Sequence, residues 1–224
     1  MLDQRLATRV ENFVSRLKRE SVCMHGFILD VRGEVKATAY YSPFEEGKAH
    51  RMYSVSKSMT ALAIGLLLDE GKISLDDCIA DYFRDFLPER PDARLLRLKI
   101  RDMLRMATCY RATVYRETDD DWTKPFFTAE PTHEPGTVFH YDTGCSQVLA
   151  ALVARLTGQQ VMDYLTARVF TPLGANDEKH WLCDPAGTCQ GGTGLCMSLR
   201  DLHKVTRLVM DGGHGILPEW FCRE

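Results

Sequence analysis

The stretch YSVSKSMTALAIGLLLDEGK, from Tyr53 to Lys72, places a serine and a lysine directly ahead of a strongly apolar segment. The apolar run and the closing Gly71 predict a helix that begins near Ser54 and ends at a left-handed glycine cap. Residues three apart share one helix face, so Lys57 is expected to reach the Ser54 hydroxyl. A helix this apolar is buried, and partial burial favours the neutral amine, which is the form that accepts a proton. The stretch therefore predicts a serine activated as a nucleophile by a neighbouring amine.

A simpler interpretation of the same residues is that Ser54 only caps the helix and that Lys57 only lies at the surface. Spacing does not decide between the two, because Ser15–Lys18 repeats the SxxK pattern inside an amphipathic helix predicted over residues 2–19. There a solvated helix face is the better interpretation. Ser54 differs in its placement at the start of a buried helix, where free N–H groups and the helix dipole stabilise negative charge. On these residues alone both interpretations stay open.

Length, composition and charge are those of an ordinary soluble globular protein with a sizeable core. The 224 residues are 45% hydrophobic and 26% charged, with a net charge of -3. Without a basic excess, neither nucleic acid nor an anionic membrane surface is expected as a partner. The longest apolar run, Ala61–Leu68, is too short to span a bilayer, and the start of the chain lacks the apolar core of a secretory signal. We therefore expect a cytoplasmic protein.

The eight cysteines are expected to be free thiols, because a chain of this length without a secretory signal is typical of a reducing compartment. Metal binding is the alternative for one cluster, which consists of His180, Cys183, Cys189, Cys196 and His203. The cysteine spacings in this cluster fit no compact zinc pattern. We expect neither a metal nor another cofactor.

Away from the opening stretch, hydrophobic periodicity predicts one hairpin and several helices. The runs MHGFILDV and EVKATAYY predict two strands joined by a tight turn at Gly33. Helices are predicted for SLDDCIADYFRDFLP after an N-cap at Ser74, LKIRDMLRMA, SQVLAALVARLTG, VMDYLTARVFTPLG and SLRDLHKVTRLVMDGG. Residues 113–139 predict a long irregular connection. Since two strands do not make a stable sheet alone, either helices cover the hairpin or further strands lie outside this chain.

Four segments, in this order, resemble the serine β-lactamase and penicillin-binding protein superfamily, most closely the branch related to class C β-lactamases. They are the opening stretch with its continuation ISLDDCIADYF, then LKIRDMLRMAT, EPGTVFHYDTGCSQVLAALVARLTG and WLCDPAGTCQGGTGLCMSLRDLHKV. The resemblance runs from about Phe27 to the end. It implies an α+β, β-lactamase/transpeptidase-like fold in which a helical cluster packs against an antiparallel sheet. Residues 1–224 would form a single domain, with the hairpin at 20–42 and the mostly helical region that carries the motifs at 53–216.

The resemblance also implies the roles of the site residues. Ser54 would be the acylated nucleophile, Lys57 its proton acceptor, and Tyr141 a partner in the acid–base work, although the residues alone indicate only a half-buried tyrosine at 141. Thr143 stands where the family usually has Asn. Its shorter hydroxyl favours a simple ester or a small amide over the amide-bearing side chain of a β-lactam. The implied activity is that of a serine hydrolase that forms a covalent acyl-enzyme.

One family motif is missing from the sequence. The third motif, Lys/His-x-Gly on a later strand, is not matched. His214 comes before Gly215, but it follows a predicted helix and precedes LPEW rather than a strand. The family's last strands, one of which supplies a second oxyanion-hole N–H, would lie beyond residue 224. We therefore expect an unpaired hairpin edge, a partly uncovered apolar face on the Ser54 helix, and self-association through the open edge. The alternative to an enzyme is a catalytically incomplete fragment or a non-catalytic binding module of the same fold.

Overall fold

The computed structural model describes residues 4–112, 114–115 and 118–223, in which helices predominate and the strands are short. The strands are β1 (Gly26–Val31), β2 (Glu34–Tyr40), β3 (His50–Arg51), β4 (His180–Trp181) and β5 (Leu195–Met197). The helices are α1 (Gln4–Arg19), α2 (Val55–Asp69), α3 (Ala93–Leu96), α4 (Ile100–Leu104), α5 (Lys124–Thr128), α6 (Thr143–Thr157), α7 (Val161–Leu165), α8 (Leu199–Met210) and α9 (Glu219–Arg223). The mixture of helices and antiparallel strands confirms the predicted α+β class.

The predicted hairpin is confirmed, with β1 and β2 antiparallel. Arg32 and Gly33 both have positive φ, at 57° and 85°, which is the pattern of the tight turns that suit a twisted hairpin. The backbone N–H of Gly33 donates to Asp30 Oδ1 at 2.8 Å and closes the turn. Among the described residues β1 and β2 form a sheet of their own, so each has an outer edge without a strand partner.

Helices pack against this hairpin. Phe13 of α1 contacts Phe27 of β1 edge-on, with ring centroids 5.8 Å apart. From α8, His203 Nε2 lies 3.0 Å from Asp30 Oδ2. Of the two possibilities open for a lone hairpin, the structure therefore shows cover by helices, which leaves the outer strand edges unpaired.

The core of the protein is built around α2, which packs against α6. Its central residues, from Leu62 to Leu67, are all buried. Gly65 packs directly against the ring of Phe221 in α9. A Cβ atom at Gly65 would lie only 2.7 Å from that ring. The expectation of a partly uncovered apolar face is therefore wrong for these central turns, because α6 and α9 cover them.

A second small sheet, which the sequence did not predict, joins the start of α2 to the glycine-rich segment from Gly187 to Gly194. Its order is β3-β5-β4, with both pairs antiparallel. The backbone N–H of Met52, just after β3, donates to the carbonyl of Leu195 at 2.7 Å. Strands of two or three residues are too short to show an alternating pattern, so periodicity could not reveal them.

The helix predicted after Ser74 is wrong. The segment instead forms two short 3₁₀ turns, Ile79–Tyr82 and Arg84–Phe86. The carbonyl oxygens of Leu75 and Asp77 accept hydrogen bonds at 3.0 Å from backbone N–H groups at the start of α4. These carbonyls are therefore not available to the N–H groups four residues later, as an α-helix requires.

The other predicted helices are confirmed, with changes at their ends. α6 ends at Gly158, which adopts the left-handed conformation at φ 70°. α8 starts at the N-cap Ser198, whose hydroxyl accepts a hydrogen bond from the Asp201 N–H at 3.0 Å. α7 is shorter than predicted and continues as a wider turn over Thr166–Phe170.

The connection predicted as irregular over residues 113–139 contains the short helix α5. Part of this prediction lies outside the described residues, namely Thr113, Arg116 and Glu117. Within the part of the chain that the structure describes, none of the helices combines the length and apolar character needed to cross a membrane.

Candidate active site

Ser54 lies at the N-terminal end of α2, and its side chain does not cap the helix. The Ser54 Oγ instead accepts hydrogen bonds from two other residues. Tyr141 donates from its hydroxyl at 2.8 Å, and Lys57 donates from Nζ at 3.3 Å. The simpler interpretation of Ser54 as a helix cap is therefore wrong. The structure brings together the three residues to which the resemblance assigned catalytic roles.

The half-buried Lys57 amine is held between three groups. Besides its contact with Ser54, Nζ donates a hydrogen bond of 2.8 Å to the carbonyl oxygen of Gly192. It also lies 5.0 Å from the centroid of the Tyr141 ring, within the range of a cation–π contact. These contacts fix one position of a side chain that otherwise has four rotatable bonds. The amine is thereby kept beside the serine oxygen.

Gly191 and Gly192 bring a backbone segment against α2 and α6. The hydroxyl of Thr60, buried in α2, donates to the Gly191 carbonyl at 2.8 Å. A Cβ atom at Gly191 would lie 2.1 Å from the Ser146 carbonyl oxygen, and one at Gly192 would lie 2.5 Å from Thr143 Cγ2. The sequence did not predict that this glycine-rich segment supports Lys57.

Ser56 ties the first turn of α2 to β5. Its buried hydroxyl accepts a hydrogen bond of 3.0 Å from the backbone N–H of Leu195. Sequence reasoning missed this residue, because a serine two positions after the candidate nucleophile has no distinguishing pattern. Its contact anchors the turn that carries Ser54 and Lys57.

The backbone turns sharply immediately before the nucleophile. Tyr53 has a positive φ of 44°, a conformation that costs a residue with a side chain on the order of 1 kcal/mol. Among the described residues no acceptor takes a hydrogen bond from the backbone N–H of Ser54. This N–H is therefore free to donate to a negatively charged oxygen bound beside the serine.

Tyr141 lies in the loop immediately before α6. The next residue, the fully buried Asp142, caps that helix by accepting a hydrogen bond from the Gly144 N–H at 2.8 Å. The pKa of the Tyr141 phenol is lowered by its hydrogen bond with Ser54 and by the neighbouring Lys57. The Ser54 hydroxyl has this effect because it can turn and donate a hydrogen bond to the ionised phenol oxygen. Because the Tyr141 side chain remains 53% exposed, solvent screens this effect.

A cleft of about 770 Å³ is lined by Tyr53 and Thr143, the sequence neighbours of the site, and not by Ser54, Lys57 or Tyr141 themselves. Thr143, the predicted substrate-binding residue, lies in its wall together with Arg51 and Tyr53. The rings of Tyr115 and Trp122, which also line the cleft, stack in parallel, with centroids 4.9 Å apart. The cleft thus combines an aromatic wall, a cation and hydroxyl groups. The role of Thr143 in binding stays a prediction.

His214, which was compared with the third motif, does not lie in this site. It lines a separate depression with Asp69, at the opposite end of α2 from Ser54. A helix of this length spans roughly 20 Å. The described residues also contain no group of three or more His, Cys, Asp or Glu side chains placed to hold a metal ion.

The fold agrees with what comparison with known proteins shows. Residues 26–221 match the family model for beta-lactamase, so the chain belongs to the beta-lactamase family. It is 27% identical over 225 residues to the 6-aminohexanoate-dimer hydrolase of Paenarthrobacter ureafaciens. This match covers 93% of the chain but only 57% of the relative.

Solved structures show the same fold. An octameric penicillin-binding protein homologue from Pyrococcus abyssi matches with a TM-score of 0.75 and 18% identity, over 97% of this chain and 59% of its own. EstCE1, a hydrolase with promiscuous acyltransferase activity, matches with a TM-score of 0.78 and 19% identity, over 98% of this chain and 76% of its own. The β-lactamase/transpeptidase-like fold is therefore confirmed, for a chain that spans little more than half the length of its curated relative.

Proposed function

We propose that this chain carries the nucleophile and the acid–base residues of a serine hydrolase that cleaves a small ester or amide through a covalent acyl-enzyme. One observation carries the proposal. The Ser54 Oγ lies within hydrogen-bonding distance of both an amine and a phenol, at 3.3 Å from Lys57 Nζ and 2.8 Å from the Tyr141 hydroxyl. A serine hydroxyl becomes a useful nucleophile when a neighbouring base removes its proton.

In the first half-reaction Ser54 Oγ attacks the substrate carbonyl carbon, and its proton passes to Lys57 or Tyr141. The free backbone N–H of Ser54 donates to the oxyanion of the tetrahedral intermediate. Collapse of the intermediate breaks the bond to the leaving group, which takes a proton from the same pair. In the second half-reaction water attacks the acyl-enzyme, and Ser54 regains its proton.

Tyr141 and Lys57 differ in what equips each of them to accept the serine proton. The lowered pKa of Tyr141 makes its ionised form accessible at a lower pH than for an ordinary tyrosine. Lys57 is fixed by Gly192 so that its amine stays beside the serine oxygen. With Lys57 held there, a phenolate at Tyr141 gains a nearby positive charge, and the pair can share one proton.

The cleft and the names of relatives support the proposed substrate class. A cleft of about 770 Å³ accommodates a small acyl group, and Tyr115 with Trp122 offers an aromatic wall for its apolar part. The curated relative is named as a hydrolase of the 6-aminohexanoate dimer, and EstCE1 as a hydrolase with acyltransferase activity. The first name gives a small-molecule substrate and the second gives acyl transfer, and together they support a small ester or amide here.

The second candidate function is a non-catalytic binding module of the same fold, or a catalytically incomplete fragment, that pairs with another chain. The hairpin favours it, because among the described residues β1 and β2 have only each other as strand partners. An outer strand edge is a template for another strand. Covalent labelling of Ser54 separates this candidate from the hydrolase.

The proposal is tested by labelling the folded chain with a fluorescent fluorophosphonate and, separately, with a fluorescent penicillin. We expect the wild-type chain to be labelled by the fluorophosphonate and Ser54→Ala to lose the label. Ser15→Ala is the matched control, since Ser15 begins the second SxxK segment, on α1, and its loss should change nothing. Equal labelling of wild type and Ser54→Ala would exclude Ser54 as the nucleophile. A folded wild-type chain that takes neither label would favour the binding module.

A further inference from the structure

Two cysteines face each other across a narrow hairpin at the rim of the cleft. Cys183 and Cys189 form an antiparallel bridge, and their Sγ atoms lie 3.9 Å apart. The turn between them is closed by a hydrogen bond of 2.9 Å from the Asp184 N–H to the Thr188 carbonyl. Both thiols are free in the structure.

The register of this hairpin places the two cysteines in a non-hydrogen-bonded pair. The hydrogen bonds on either side join their neighbours, with Gln190 N–H donating to the Leu182 carbonyl at 2.8 Å. In a non-hydrogen-bonded pair the Cα atoms of the two opposed residues lie about 4.5 Å apart, and their side chains are closer together than in a hydrogen-bonded pair. A disulfide needs a Cα separation of about 4.4–6.8 Å. The pair can therefore be joined by side-chain rotation without moving the backbone.

We propose that Cys183 and Cys189 are a reversible thiol–disulfide modification site, oxidised by a low-molecular-weight disulfide. The Cys183 thiolate attacks one sulfur of the reagent, the reagent's S–S bond breaks, and one small thiolate leaves. Cys189 then loses its proton and attacks the Cys183 sulfur, which forms the protein disulfide and releases the second small thiolate. Two protein thiols are oxidised, one small disulfide is reduced to two thiols, and the two protons go to the released thiolates.

Burial assigns the order of the two steps. Cys183 is exposed and can meet the reagent, whereas Cys189 is buried, at 2% exposure. Burial also raises the pKa of the Cys189 thiol to about 12, so its attack is the slow step. Among the described residues no other two cysteine sulfurs come into hydrogen-bonding contact, which makes this pair the expected product.

The disulfide would reinforce the segment that supports Lys57. Cys189 leads through Gln190 to Gly191 and Gly192, whose carbonyls accept the hydrogen bonds of Thr60 and Lys57. Cys183 and Cys189 are already paired as an antiparallel β-bridge when both thiols are reduced. Forming the disulfide would therefore hold this backbone geometry rather than change it. The inference concerns a modification at the cleft rim and does not depend on the proposed hydrolase activity.

The experiment exposes the folded chain to oxidised glutathione, alkylates the remaining thiols, and maps the tryptic peptide from His180 to Arg200. This peptide contains both cysteines and Cys196, which serves as an internal control. We expect the peptide to lose two hydrogens, with the bond between Cys183 and Cys189 and an alkylated Cys196, and dithiothreitol to reverse the change. Cys196→Ser should give the same bond, and Cys183→Ser should not. We also expect oxidation to raise the melting temperature of the wild type by about 5 °C.

Two results would overturn the proposal. One is that Cys183 and Cys189 both remain alkylated while the exposed Cys23 has formed a mixed disulfide with glutathione, which shows that the reagent was active. The other is a bond from either cysteine to Cys196. Because the mapping is made on the wild-type chain, neither result depends on the folding of a variant.

Discussion

The Lys57 Nζ donates a hydrogen bond of 2.8 Å to the backbone carbonyl of Gly192, a residue 135 positions later in the chain. The acceptor is a main-chain atom, so its position is set by the fold of the glycine-rich segment. This contact, rather than the helix alone, aims the Lys57 amine at Ser54. The geometry of the candidate site therefore depends on a segment that contributes no reacting side chain.

Replacing Gly192 by alanine tests this dependence. The added Cβ would lie 2.5 Å from Thr143 Cγ2 and 3.1 Å from Lys57 Nζ, so the segment or the amine must shift. A displacement of about 1 Å at a reacting group can cost about a hundred-fold in rate. We expect Gly192→Ala to lower the rate of fluorophosphonate labelling by about that factor, measured under pseudo-first-order conditions on protein whose fold is checked by circular dichroism.

Gly187→Ala is the matched control on the same loop. Gly187 has a φ of 87°, so alanine there is strained, but its Cβ would meet nothing within 4 Å. We expect a loss of about 1 kcal/mol in the free energy of unfolding and an unchanged labelling rate. If the two variants slow labelling equally, loop strain explains the effect and the support of Lys57 by Gly192 does not.

The parts of the site that sequence could predict are those set by local spacing. Ser54 and Lys57 lie on one face of α2 because residues three apart on a helix do so, whatever surrounds them. Tyr141 could be named only through its resemblance to a family motif, since it lies 87 positions after Ser54 and no local signal links the two. Its meeting with the serine depends on how α6 packs against α2.

The parts that sequence could not predict are set by backbone contacts between distant segments. The hydrogen bond from Leu195 N–H to Ser56 Oγ crosses 139 positions, and β5 is too short to show a strand pattern. The prediction of a helix after Ser74 failed for the same reason, a backbone contact with a distant segment. Its composition suits a helix, but its carbonyls bond to the start of α4. Tertiary pairing overrode local propensity at both places.

The pH dependence of labelling tests the role of Tyr141. The hydrogen bond with Ser54 and the neighbouring Lys57 lower the pKa of this phenol below the ordinary tyrosine value of about 10. Its ionised form therefore becomes populated at a lower pH than that of an ordinary tyrosine. We expect the labelling rate to rise with pH and to level off below about pH 10. Tyr141→Phe should remove this rise and lower the plateau by about a hundred-fold, because general acid–base catalysis contributes at least that much.

Tyr53→Phe is the control for this profile, because Tyr53 is an exposed tyrosine immediately before the nucleophile. The pH-dependent rise should persist in Tyr53→Phe. A profile in Tyr141→Phe that superimposes on that of the wild type would remove Tyr141 from the acid–base work and leave Lys57 as the sole candidate base.

Thr143 sets the expected preference between acylating agents. An Asn amide at this position can both donate and accept a hydrogen bond at longer reach than a threonine hydroxyl. One added hydrogen bond contributes about 0.5–1.5 kcal/mol. We expect Thr143→Asn to raise the rate of labelling by a fluorescent penicillin about threefold to tenfold, with little change for a fluorophosphonate, which has no acyl side chain of that kind. Rates for both reagents are compared on the same protein preparation.

Thr193→Asn is the matched control for that substitution, since Thr193 lines the same cleft. It should leave the ratio of the two labelling rates unchanged. An unchanged ratio in Thr143→Asn as well would show that residue 143 does not contact the acyl side chain, and the substrate preference would have to come from another part of the cleft.

The outer edges of the hairpin predict self-association of this chain. Among the described residues β1 and β2 pair only with each other, and two exposed valines, Val31 and Val35, lie near the turn. Natural sheets protect such edges with lysine, since a buried or opposed charge prevents strand pairing. We expect a concentration-dependent dimer or larger species in size-exclusion chromatography with light scattering.

The double substitution Val31→Lys and Val35→Lys should weaken this self-association about tenfold or more in Kd. The control is Val22→Lys, because Val22 is a similarly exposed valine outside the strands, and it should leave the association unchanged. A wild-type chain that stays monomeric at every concentration would show that the hairpin edges do not pair.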